Sequence, residues 1–128
     1  MVNNYEILIR LALACILGGL VGLERERNRH PAGLRTHILV CVGATLVMLC
    51  NIFIFEAYKG IANVDPARMG AQVISGIGFL GAGTIIKEGL SIRGLTTAAS
   101  LWAVACLGIS IGLGFYTGAI ITTSMVLI

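Results

Sequence analysis

Charge is scarce in this chain and confined to a few places. Lys, Arg, Asp and Glu make up 12% of its 128 residues, against about a quarter in a soluble globular domain. Ile38 to Phe55 carries no charge, and Tyr5 to Leu23 is nearly free of it. A soluble domain spreads charge over every surface helix, so an ordinary water-soluble globule is excluded. No CxxC pair occurs. Cys15, Cys41, Cys50 and Cys106 all lie inside apolar runs, which argues against a disulfide or zinc framework and for small buried hydrophobes. The apolar runs show no period-two alternation, which excludes a membrane β-barrel. No small-residue cleavage site follows the first run, which argues against a signal peptide.

What is present is a series of apolar segments separated by short polar ones, with a mean hydropathy of +0.94. Only helices and closed barrels satisfy every backbone group in hydrocarbon. The expected fold is therefore an all-α integral membrane protein, one domain over residues 1–128. The spans are placed at about 5–23, 34–55, 67–86 and 96–113, each close to the length needed to cross a bilayer. A fifth stretch, 115–128, reaches only about 21 Å at 1.5 Å per residue. It is expected to be a shorter or truncated helix.

The first loop holds Arg25, Arg27, Arg29 and Arg35 and the third holds Lys87 and Arg93, against Lys59 and Arg68 around the second. The positive-inside rule then puts the first and third loops in the cytoplasm. The net charge of +3 is read as this topology signal, and no nucleic-acid partner is expected.

Glycine and other small residues mark where helices approach closely, since lipid supplies no hydrophobic push between them. Gly18 and Gly22 form a GxxxG pair extended by Ala14. Ala71, Ser75, Gly78 and Ala82 share a stripe on span three, and Thr96, Ala99, Ala103, Cys106 and Ser110 share one on span four. Packing within one bundle is the first reading of these stripes; a homodimer seam is the second. Gly76-Ile77-Gly78-Phe79-Leu80-Gly81 spells GxGxxG, but it lies in mid-span, without the strand, turn and acidic residue that a dinucleotide site requires. Gly76, Gly78, Gly81 and Gly83 are read as packing glycines, with a broken helix exposing backbone to an ion as the alternative.

Polar residues gather at the expected cytoplasmic edge. Glu24 ends span one, Arg35 and Thr36 open span two, and Arg93 and Thr96 precede span four. A pair between Glu24 and Arg35 or Arg93 is expected, with Thr96 as the cap of span four. The competing reading makes the basic residues interfacial anchors. His30 and His37 are expected to be solvated, and with no third ligand they make a poor zinc site. No nucleophile has a base beside it, so no catalytic residue, cofactor or metal site is assigned.

Three segments carry a resemblance. Gly18-Gly-Leu-Val-Gly-Leu-Glu-Arg-Glu-Arg27 followed by Ala32-Gly-Leu-Arg-Thr36, then Ser75 to Gly83, then Ile92 to Trp102, resemble the signatures of the MgtC/SapB family in order and spacing. The resemblance implies a hydrophobic domain of the bacterial inner membrane with four or five spans, linked to adaptation to low magnesium. Its best-described member is regarded as a regulator restraining the F-type ATP synthase rather than a magnesium transporter, which would make the membrane sector of that synthase a partner. Many members also have a soluble C-terminal domain, which is expected to be missing here. Carried over residue by residue, the matching positions are Glu24, Arg35, Thr36, Arg93, Thr96 and Trp102, the last added to the packing set. Some virulence-associated members have asparagine at the position of Thr96 and cysteine at that of Ala103, a departure that weakens a virulence role. The expected protein is a homodimer in the lipid bilayer that serves regulation through membrane-helix contacts; the alternative is an ion or small-solute carrier.

Overall fold

The computed structural model describes residues 2–128. It contains helices α1 (Asn4–Arg27), α2 (Leu34–Tyr58), α3 (Arg68–Gly83), α4 (Leu95–Gly112) and α5 (Tyr116–Leu127), with a hairpin of strands β1 (Ile86–Glu88) and β2 (Ser91–Arg93) between α3 and α4. Three helices, α1, α2 and α4, are long and apolar enough to cross a membrane. The expectation of four full spans is corrected on span three: α3 has 16 residues, about 24 Å of helix, short of a ~30 Å hydrocarbon core. Residues 84–86 leave the helix to form the hairpin, which pairs Ile86 with Arg93 and Glu88 with Ser91.

Local chemistry sets these limits. Asn3 caps α1, its side-chain oxygen accepting from the Glu6 N–H at 2.9 Å. At the other end Arg29 takes a left-handed turn with φ 58°, before Pro31 and Gly33 lead into α2. The start of α3 is capped by α2: buried Asn51 accepts from the Met69 N–H at 2.7 Å and donates to the Asp65 carbonyl at 3.1 Å. Gly94 joins β2 to α4 at φ +90°, where a Cβ would strike the Thr84 carbonyl oxygen; no other residue fits that turn without strain.

The core lies among α1, α2, α4 and α5, formed by Ala14, Leu17, Val21, Cys41, Val104, Leu107, Ile111 and Ala119. Helix α2 is clasped from two sides by GxxxG pairs. A Cβ on Gly18 would lie 2.7 Å from Cys41 Cβ, and one on Gly22 would lie 2.8 Å from Leu34 Cα. From α4, Gly108 sits against Cys41 and Ala44, and a Cβ on Gly112 would lie 2.6 Å from Met48 Cβ. The Thr45 hydroxyl lies 3.0 Å from the Gly108 carbonyl oxygen, an interhelical bond of the kind worth about 0.6 kcal/mol in a membrane bundle. The Gly18–Gly22 seam is therefore filled within the chain.

Candidate functional site

The arginine-rich end of the bundle holds a buried polar cluster. On α1 the residues at 14, 17, 18, 21, 22 and 25 are buried, the spacing of one helical face. Arg25 prolongs that face inward and is only 6% exposed. Its Nη2 donates to Thr97 Oγ1 at 2.7 Å, in the first turn of α4. Its Nε is buried without a partner, the one such side-chain nitrogen or oxygen among the described residues. No carboxylate balances the guanidinium: the ion pairs among the described residues are Glu6–Arg10 and Glu56–Lys59.

Beside it, His37 is 0% exposed in the first turn of α2. Its Nδ1 lies 2.8 Å from the Gly33 carbonyl oxygen and its Nε2 lies 2.9 Å from Ser100 Oγ. A carbonyl only accepts, so Nδ1 carries the hydrogen, and in the neutral ring Nε2 accepts from the Ser100 hydroxyl. That hydroxyl also lies 2.8 Å from the Thr97 carbonyl oxygen, giving its proton two competing acceptors. Arg25, His37, Thr97 and Ser100 thus link α1, α2 and α4 at one level.

The residues expected to form the site lie at the same end but not in this cluster. Glu24, Arg35, Thr36, Arg93 and Thr96 are all exposed. The expected Glu24 pair is replaced: Glu24 Oε1 accepts from Asn28 Nδ2 at 2.8 Å, and neither Arg35 nor Arg93 forms an ion pair among the described residues. Thr96 is not the cap of α4, because Gly94 occupies that position and no side chain caps the helix. His37 is buried rather than solvated, whereas His30 is exposed. Of the cysteines only Cys41 is fully buried; Cys15 and Cys50 face outward.

The expected packing set divides. Gly18 and Gly22 pack on α2, and Gly81 meets Ala98 of α4 at 3.5 Å from its would-be Cβ. Gly76, Gly78 and Gly83 have open space beyond them, and Trp102 is 51% exposed, so these four pack little within the chain. Helix α3 is continuous through its glycines. It turns Ala71, Ser75, Gly78 and Ala82 outward, together with Phe79, 84% exposed. An apolar groove runs between α2 and α3, bordered by Leu39, Gly43, Val47, Gly76 and Leu80.

A second polar knot closes the opposite end. Arg10 Nη1 donates to the Gly112 carbonyl at 2.7 Å, and its Nε lies 3.1 Å from both Glu6 Oε2 and the Tyr116 hydroxyl oxygen. The Tyr116 hydroxyl in turn donates to Glu6 Oε2 at 2.8 Å. This ties α1 to the end of α4 and the start of α5.

The comparisons with known proteins agree with one another. The model of the MgtC family matches residues 11–128. The Escherichia coli K12 protein named "Putative magnesium transporter YhiD" is 42% identical over 125 residues, covering 96% of this chain and 58% of the relative. Protein MgtC of Salmonella typhimurium LT2 is 41% identical over 123 residues, covering 96% and 50%. An uncharacterized protein of Haemophilus influenzae is 44% identical over 130 residues, covering 98% and 55%. The chain spans about half the length of the curated relatives it matches. No solved structure matches. With the family match running through α1 to α5 and the relatives agreeing over nearly the whole chain, the protein belongs to the MgtC family.

Proposed function

We propose that this domain regulates another membrane complex by helix contact within the bacterial inner membrane, in adaptation to low magnesium, with the membrane sector of the F-type ATP synthase as its target. The arginine-rich end faces the cytoplasm in this reading, following the excess of basic residues in the first and third loops. The observation that carries the proposal is the outer face of α3. Its small residues leave open space, so another helix can approach backbone to backbone there. The Gly18–Gly22 face, by contrast, is already occupied by α2.

The test is ATP-driven proton pumping in inverted membrane vesicles, with and without the chain. Expression should lower pumping, and Gly78→Leu should restore it while the chain still inserts. Unchanged pumping on expression removes the synthase as the target. Homodimerisation is the competing use of the same face. Gly78→Cys in a background without the native cysteines gives a self-adduct if a second copy docks there.

A second reading, magnesium carriage, is favoured by the name of the Escherichia coli relative. Purified protein that moves magnesium into liposomes would bring it forward.

A further inference from the structure

We propose that Arg25, Thr97 and the first turn of α4 form a binding site for a phosphate oxyanion at the arginine-rich end, filled by an anionic phospholipid headgroup or by free phosphate. The proposal does not rest on the regulator reading.

The guanidinium stays charged in a protein, and removing it from water without a counter-charge is costly. Arg25 is buried with one hydrogen bond among the described residues, and its Nε has no partner. The nearest acids in sequence are engaged elsewhere: Glu24 accepts from Asn28, and Glu26 lies against Gly33. A positive charge is thus built into the bundle, and no carboxylate among the described residues forms an ion pair with it.

The groups around it are donors. The Thr97 hydroxyl accepts from Arg25, and its own proton has no acceptor among the described residues. Helix α4 has 18 residues and begins at Leu95 without a side-chain cap. Its first N–H groups and the positive end of its dipole therefore favour an anion. A guanidinium held against a hydroxyl in the first turn of an uncapped helix, with no ion-paired carboxylate, suits an oxyanion with several acceptor oxygens. The site also lies where the helices end beside exposed Arg27, Arg29 and Arg35, the setting in which basic pockets between membrane helices hold lipid headgroups.

The test uses the full chain purified in a neutral detergent. Native mass spectrometry with added phosphatidylglycerol or phosphatidylethanolamine reads lipid retention, and thermal melting with inorganic phosphate or chloride reads the free anion. Wild type should retain phosphatidylglycerol in preference to phosphatidylethanolamine if the source is lipid. It should gain melting temperature with inorganic phosphate alone if the source is the free ion. In either case Arg25→Gln should weaken the response by about tenfold or more, as expected for one charge-assisted contact, and the exposed control Arg68→Gln, at the start of α3, should not. Should Arg25→Gln fail to fold, Thr97→Val keeps the charge and should still weaken binding several-fold. No preference for either phosphate source in wild type, or an Arg25→Gln or Thr97→Val response equal to wild type, overturns the proposal.

Discussion

Two arginines sit inside this bundle at opposite ends, and they are treated differently. Arg10 meets the Glu6 carboxylate, the Tyr116 hydroxyl and the Gly112 carbonyl. Arg25 meets the Thr97 hydroxyl, with a nitrogen left over and no ion pair among the described residues. The first is a structural tie whose charge is balanced where it stands. The second leaves charge unbalanced, and an imbalance kept inside a fold is more readily explained by something that binds it than by stability.

The two arginines should therefore respond oppositely to the same replacement. Arg10→Met removes charge-assisted bonds joining α1 to α4 and α5, and should cost about 3 kcal/mol, read as an earlier unfolding transition in detergent titrated with sodium dodecyl sulfate. Arg25→Met, in protein stripped of phosphate and anionic lipid, should leave the same transition unchanged or raise stability by about 1–2 kcal/mol, because an unpaired buried charge is replaced by apolar volume. A large loss there would mean that Arg25 is as structural as Arg10. Tyr116→Phe sharpens the picture of the Arg10 knot: it removes one hydroxyl and should cost about 1 kcal/mol. Glu24→Gln should change stability by less than about 0.5 kcal/mol, as for an exposed residue outside any knot. A larger effect would restore Glu24 as a contact of the bundle.

The long helices were legible in the sequence because apolar runs of sufficient length between charged loops leave few alternatives. The end of α3 was not. The run from Ala67 to Ile86 satisfies composition, but Gly89 and Gly94, both at positive φ, bend the chain into a hairpin that a count of apolar residues does not register. The site was missed by one step of helical phase at two places. Glu24 and Thr96 are the more conspicuous residues, yet the inward positions are Arg25 and Thr97, 100° further round their helices. On α1 the signal was available, since Ala14, Gly18 and Gly22 share the buried face with Arg25. On α4, capping at Gly94 rather than Thr96 shifted the frame. Gly108 and Gly112 spell the same GxxxG pattern as Gly18 and Gly22, but the stripe through Thr96, Ala99, Ala103, Cys106 and Ser110 lies on a different face. The bare glycines of α3 show that the motif alone does not say whether a helix is already partnered.

The Arg25–Thr97 contact also has a history in time. Its two residues lie 72 positions apart, so at 5–20 residues per second Arg25 is synthesised roughly four to fourteen seconds before the threonine that receives it. Once α2 has followed, α1 and α2 can seat their glycine seam before α4 is made, while the guanidinium at the end of α1 stays with water and headgroups. Closure of this end of the bundle must wait for α4, which makes the arrival of Thr97 the last step in assembling the site and gives lipid the first opportunity to occupy it.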